Sequence, residues 1–561
     1  MPLSRRNTRM KTRAFALLLF AMMVAGFASI GTAEDTLTIA IYQEPENLNT
    51  YIGVQTVITY VHRPFAEYLI DVNEKGEYYP VLVKEVPTVE NGGVSEDGLT
   101  ITYHLKEGVK WSDGEPFTSA DVKFTWEAVM NEKNMVKSRS GYDLIESIET
   151  PDEHTAIVKY KEYYAPYLTR FAPVLPEHVL GDLPDINDAP YNRMPVGTGP
   201  FMVTEWVSGD HITMEKNPYY RNADQVKIDK IFFKITPSRE VGIAQLKAGD
   251  VDVVWDLIET QIPEMEKDPD IDLYLANSLT SERLILNHST PEPPHNGDPD
   301  YPHPILADLK VRKAIQYAID KQLIVEKLLY GKAEVGTSEI PAGWAHNPDL
   351  EPSEYDLEKA KQLLEEAGWK VGEDGIREKD GVRMRLKITT TTGNKLREQV
   401  EQVLLSMLKK AGIELYIENV PSSVLFGSWA NDADRKKGRY DIMMYTTGPG
   451  IDPQQQYEGY FHSKNIPTEE NGGSGYNYTR HRDAELDNYL EIAGSAPSME
   501  KRAEAYRKAQ ERVAEILPHI YLYRRLSING IRSHVKGWIP NGYGIIDSVA
   551  TWNIGDWYLE K

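Results

Sequence analysis

Two strand–helix–strand units, one in each half of the chain, constrain the fold more than any other feature. In the first, residues 231–235 alternate as a strand, 238–248 read as a helix, Gly249-Asp250 breaks it, and 251–255 form the next strand. In the second, 385–391 is β-rich, and 395–410 is helical with Val400, Val403, Leu404 and Met407 on one stripe. Ala411-Gly412 ends that helix, and Ile413, Leu415 and Ile417 alternate. Such units demand parallel pairing with right-handed crossovers, and ligands then lie beyond the carboxyl ends of the strands. Two α/β lobes is the architecture this predicts.

Other elements are punctuated as clearly. In 94–131, Ser95-Glu96-Asp97-Gly98 turns into a strand carrying Leu99, Ile101, Tyr103 and Leu105, and Ser112-Asp113-Gly114-Glu115 makes a second turn. Thr118 with Asp121 predicts a capped helix that carries Val122, Trp126, Val129 and Met130. Amphipathic helices are expected near 308–319, 321–330, 356–367 and 499–516. At 561 residues the chain has room for two large domains or three to four smaller ones.

The first 33 residues are set apart from this pattern. Arg5, Arg6, Arg9, Lys11 and Arg13 precede an apolar run at 14–30 and the small residues Gly31-Thr32-Ala33. This is the layout of a secretory signal peptide, with cleavage expected after Ala33. No cysteine exists anywhere in the chain, which excludes a lipoprotein anchor, disulfides and thiolate chemistry together. Loss of the leader takes the net charge from −23 to −28, which argues against phosphate backbones and nucleic acid as partners. The expected product is exported to a periplasm.

Catalytic signatures are sparse. With 85 acids, pairs such as Asp250/Asp252 and Glu44/Glu46 arise by chance, and spacing alone does not set the separation a glycoside hydrolase needs. The 13 histidines contain no HExxH, and His295, Asp298, Asp300 and His303 read as a surface loop rather than a metal site. Gly197-Thr198-Gly199 completes neither a dinucleotide fingerprint nor a P-loop, and no nucleophile elbow occurs. The sequence therefore predicts no cofactor, no metal and no enzyme. Recognition chemistry remains, concentrated in 423–461 with Phe426, Trp429, Tyr440, Tyr445, Tyr457, Tyr460 and Phe461 around the Gly- and Pro-rich loop 446–453. Glycines leave backbone N–H groups accessible, and aromatic rings provide flat walls with polar rims.

Against this background the segment SEDGLTITYHLKEGVKWSDGEPFTSADVKFTWE (95–127) closely resembles the signature of bacterial extracellular solute-binding proteins of family 5, the peptide- and nickel-binding group of ABC importers. The resemblance continues through GTGPF (197–201), NPYY (217–220), the 239–255 unit, VRKAIQYAIDKQLI (311–324), YDLEKAKQLLEEAGW (355–369) and the DP at 452–453.

The resemblance implies a type II periplasmic-binding-protein fold of two α/β lobes with an extra subdomain in lobe one and a ligand cleft between the lobes. Lobe one would span 34–278, lobe two 279–518, and 519–561 would return to lobe one, with crossings near 276–282 and 518–526. A monomeric state is the default expectation, with a membrane permease as partner. The implied cargo is a small solute, a short peptide first and an oligosaccharide as the alternative; a secreted glycoside hydrolase is the remote one. The same resemblance places Glu44 and Asn47 on the cleft from lobe one, with Trp255 at a strand end beside it. From lobe two it places Tyr445, Thr447, Gly448, Gly450, Asp452 and Tyr457, and Trp429 joins them as a stacking surface. One departure stands out: the family's ammonium-binding aspartate aligns with Pro449, which leaves Asp452 as the nearest carboxylate.

Overall fold

The computed structural model describes residues 35–53, 55–544 and 550–561, so the signal-peptide expectation lies outside the described residues. Ten strands form the central sheet: β1 Thr36–Ile41, β2 Phe201–Val207, β3 His211–Lys216, β4 Lys230–Ile235, β5 Val253–Val254, β6 Ile271–Leu286, β7 Arg385–Thr389, β8 Glu414–Ile417, β9 Ile442–Thr447 and β10 His519–Arg532. Their order is β8-β7-β9-β6-β10-β5-β1-β4-β3-β2.

The local signals act as expected. Ser238 caps the helix Arg239–Ala248 by accepting from the Val241 N–H, and Gly249 closes it at φ 79°, a left-handed conformation that a Cβ would disfavour. That helix buries Gly242, Ile243 and Leu246 and leaves Val241 exposed. Asn394 caps Lys395–Lys410, which buries Val400, Leu404 and Met407. Thr118 and Asp121 make the capping box of Ser119–Met130. In the second unit β7 pairs directly and in parallel with β8. In the first unit the expectation of adjacent strands fails, because β1 lies between β4 and β5, parallel to both. An N-terminal strand far away in sequence takes the central place, which periodicity within 231–255 does not reveal.

β6 and β10 join the two wings. The first half of β6 pairs antiparallel with the second half of β10, from Ile271/Arg532 to Asn277/Leu526. The second half runs from Ser281/Arg524 to Ile285/His519 and pairs on its other side with β9. The register shifts between Asn277 and Ser281, and again between Glu282 and Arg283. Such irregularities bend a strand and free carbonyls from the ladder. Arg524 answers this by donating to the carbonyls of Asn277 and Ser278 at 3.0–3.2 Å.

Each wing carries its own apolar core. Leu37, Ile39, Phe233, Val253 and Trp255 pack under β1, and Leu386, Ile388, Leu404, Ile442 and Met444 pack under β7 and β9. A third core surrounds the antiparallel strands Thr100–His104, Ile145–Asp152 and Thr155–Tyr160, forming the subdomain attached to lobe one. Among the described residues, no helix is long and apolar enough to cross a membrane.

Candidate solute-binding cleft

A cavity of about 470 Å³ opens at the bend of β6 and β10. Thr56, Tyr60, Trp255 and Asp256 line it from one wing, and Asn394, Arg397, Thr446 and Gly450 from the other. Ser278–Thr280 and Arg525–Ser527, on the crossing strands, form its floor. Its volume falls within the range of small-molecule sites. Another cavity, of about 490 Å³, lies wholly in lobe one, and four of its charged lining residues form the pairs Arg63–Asp71 and Arg221–Glu67. Only the first of these two is built from both wings.

The lobe-one wall is aromatic and acidic. Trp255 stacks on Tyr42 with centroids 5.1 Å apart and an interplanar angle of 18°, and Tyr60 leans on Trp255 at 5.6 Å. Asp256 follows Trp255 at φ 57°, a left-handed conformation that aspartate tolerates better than most residues. Its Oδ2 accepts from the Tyr42 hydroxyl at 2.5 Å and from Arg239 Nη2 at 2.9 Å. Burial, reinforced by the Asp256 carboxylate, pushes the Tyr42 phenol up to about 12, so Tyr42 stays a donor at neutral pH.

The lobe-two wall is held by a cation. Arg397, in the first turn of its helix, donates Nε to Glu282 at 2.9 Å, Nη1 to Thr391 at 3.0 Å and Nη2 to Thr446 at 3.1 Å. The Thr446 hydroxyl donates in turn to Glu282 at 2.6 Å. Glu282 is completely buried, so the guanidinium is locked from three sides. Arg525 adds a second cation, paired with Glu259 at 3.2 Å.

The residues expected from sequence scatter around this cavity. Trp255 and Gly450 line it. Gly448 lies directly behind, where a Cβ would come within 2.5 Å of the Leu279 carbonyl. Thr447 donates to Glu339, which forms a fully buried ion pair with Arg283. Tyr445 and Tyr457 are buried in lobe two, the first edge-on to Phe426, the second packed on Phe461 and Tyr506. Glu44 accepts from Trp206 Nε1 at 2.9 Å and Gly209 N at 3.0 Å, and Asn47 Oδ1 caps the Asn49 N–H. Trp429 lines a different cavity with Asp432 and Arg439, with Lys437 Nζ 3.5 Å above its ring. Asp452 gives both oxygens to Arg502 at 2.8 Å, with the two side chains 4% and 1% exposed. That carboxylate is therefore a structural partner and is not presented to the cavity.

Asp256, Asn394 and Arg397 escaped the sequence reading, whereas Thr446 falls in the loop 446–453 that it singled out. Asn394 and Arg397 carry a helix-cap signal that marks the start of a helix but not what it faces, and Asp256 is one acid among many.

Comparison with known proteins places this geometry in context. The sequence model described as "Bacterial extracellular solute-binding proteins, family 5 Middle" matches residues 77–468. Oligopeptide-binding protein AppA of Bacillus subtilis (strain 168) is 28% identical over 536 residues, covering 94% of this chain and 92% of its own. The crystal structure of NikZ from Campylobacter jejuni in complex with Ni(L-His) superposes with a TM-score of 0.70 at 26% identity, covering 94% of this chain and 99% of that one. The Bacillus subtilis AppA structure in complex with a nonapeptide gives a TM-score of 0.65 at 26% identity, with the same coverage.

Proposed function

This chain belongs to the bacterial extracellular solute-binding proteins of family 5, and from that premise we propose that it is the substrate-binding component of an ABC importer, capturing a short peptide between its lobes for a membrane permease. The observation that carries this reading is the cavity at the bend of β6 and β10, walled by Asp256 on one side and Arg397 on the other. A ligand that touches both walls binds the closed form better than the open one, and only such a difference drives closure.

Lobe one is assigned to 34–278 and 519–561 and lobe two to 279–518, a division supported by the register shift at Asn277/Ser281. Residues 1–33 are proposed to direct export, and the mature protein to act as a periplasmic monomer that leaves its cargo chemically intact. The cavity lining contains no histidine among the described residues and one carboxylate, which favours an organic solute over a bare metal ion. Trp429, one motive for the oligosaccharide alternative, lies in another cavity, and the relatives named above give that alternative no support.

The test is a thermal-shift screen of the mature protein against a free-peptide library, followed by small-angle scattering with each hit. A rise in Tm together with a smaller radius of gyration is expected for a subset of short peptides. No stabilisation by any peptide overturns the assignment of cargo, and hydrolysis of a stabilising peptide overturns the non-enzymatic reading.

A further inference from the structure

The second cavity, of about 490 Å³, shares no lining residue with the cleft. It lies where the core of lobe one meets the subdomain. Arg63 and Ala66 follow the helix Thr56–His62, and Tyr79 belongs to the strand Tyr78–Pro80. Lys106 comes from the subdomain, just beyond the strand Thr100–His104, and Trp552–Asp556 close the cavity from the C-terminal stretch. The volume falls within the range of small-molecule sites, and capture of a solute between the lobes leaves this space without a role.

Its charges are unevenly matched. Arg63 is paired with Asp71, and Arg221 grips both oxygens of Glu67 at 2.6 and 2.7 Å. Lys106, half-buried, has no carboxylate partner among the described residues, and its Nζ donates only to the Pro80 carbonyl, at 3.3 Å. Two of its three N–H groups are therefore free. Burial and the adjacent Arg221 charge hold Lys106 below the ordinary lysine value, with Glu67 acting the other way. Asp556, also on the lining, is exposed and is not among the charges that act on Lys106.

The rest of the wall is aromatic and apolar. Tyr79 makes no ring contact and no side-chain hydrogen bond among the described residues. Burial pushes its phenol above the ordinary value, so its hydroxyl stays a neutral donor. Tyr220, Val81, Val226 and Ile554 complete a surface that can hold a flat apolar body. A half-buried ammonium short of negative charge, next to an aromatic ring without a partner, suits a ligand that is anionic at one end and apolar at the other.

We infer that this cavity is a second binding site, for a small organic monocarboxylate with an aromatic or alicyclic body, its carboxylate on Lys106 and its ring against Tyr79 and Tyr220. The site is confined to lobe one, so it fills without closure of the lobes and independently of the cargo in the cleft.

Calorimetric titration at pH 7 tests this with benzoate, phenylacetate and cyclohexanecarboxylate, each paired with its uncharged primary amide. At least one carboxylate should bind with one-to-one stoichiometry, and its amide about 10- to 100-fold more weakly, the range of one charge-assisted hydrogen bond. Lys106→Gln should weaken the carboxylate by the same factor, whereas Arg397→Gln, in the cleft, should leave its affinity unchanged. Absence of binding by every carboxylate up to about 10 mM, equal affinity of acid and amide, or undiminished affinity in Lys106→Gln overturns the inference. So does a loss in Arg397→Gln, which puts the anion in the cleft. The comparison of acid with amide uses the unaltered protein, so it decides even if Lys106→Gln folds poorly. None of these outcomes bears on the peptide reading, which is tested separately.

Discussion

Arg502 grips both carboxylate oxygens of Asp452 at 2.8 Å, and the same guanidinium reaches the Ala165 carbonyl at 3.2 Å. One buried side chain therefore ties the segment following the cleft loop of lobe two to the subdomain of lobe one. Neighbouring contacts repeat the link: Tyr163 donates to the Ala496 carbonyl at 2.8 Å, and Val72 packs with Leu279 and Ile451.

Breaking this pair should be costly. Removing one partner of a buried ion pair leaves the other charge uncompensated, at about 3–5 kcal/mol. Arg502→Met and Asp452→Asn should each lower stability by that order in denaturant titrations of ligand-free protein. If Asp452→Asn instead retains full stability and loses only peptide affinity, Asp452 belongs to the ligand and not to Arg502.

Gly448→Ala should weaken solute binding. An added Cβ would meet the Leu279 carbonyl at 2.5 Å and the Thr280 Cα at 2.9 Å, both backbone atoms of the crossing strand. Overpacking of this kind costs about 1–3 kcal/mol, and here it falls on the contact between cleft loop and bend. Calorimetry should register about a 5- to 150-fold loss in affinity, and Gly450→Ala, at φ 73° with only the Asp452 carbonyl near an added Cβ, at 3.8 Å, provides the comparison for backbone strain without a clash.

Acid should destabilise the protein before its carboxylates titrate. Burial lowers His481 from 6.5 to about 4 and His62 to about 3, and holds His288 and His519 well below their ordinary value. These imidazoles are neutral when folded and bind protons when unfolded, so their contribution to stability is complete above about pH 6.5 and declines as pH falls toward 4. The slope approaches about 1.4 kcal/mol per pH unit for each such histidine. Denaturant midpoints at pH 7.5 and 5.0 should show the loss, and His481→Gln should flatten it.

Glu401 should act in the opposite direction. It lies buried on the helix Lys395–Lys410 with Asn419 donating to Oε2 at 2.8 Å, and burial raises its carboxyl from 4.5 to about 7. The unfolded chain ionises it from about pH 4.5, the folded chain only near 7, so its contribution to stability declines as pH rises through that window. Glu401→Gln should therefore stabilise the protein at pH 8, by on the order of 1–2 kcal/mol, and have little effect at pH 4. Equal melting shifts at both values would show that ionisation of Glu401 is not involved.

Much of the fold was legible because its signals are local. The start at Ser238 with its stop at Gly249, the stop at Gly412, and Thr118 with Asp121 each mark a helix end within a few residues, and those helices form where these signals indicate. The parallel pairing of β7 with β8 follows from one such unit. The position of β1 between β4 and β5 did not, because strand order is settled by pairing between distant segments. Similarly, the aromatic run at 423–461 signalled recognition, yet Tyr445 and Tyr457 fill the lobe-two interior and Trp429 faces a different cavity.

The amino-acid order alone determined the α/β elements, the family and the absence of thiol chemistry, since periodicity, caps and composition are properties of short stretches. The tertiary structure decided which polar groups face the cleft and which hold the scaffold. Asp256, Asp452, Glu282 and Arg397 look alike as charges in a row of letters. Only the bend of β6 against β10 brings Asp256 and Arg397 to one cavity, while Arg502 draws Asp452 into the interior. The reason is physical: a charge acquires its role from its partners and its distance to water, and both are set by chain segments remote in sequence.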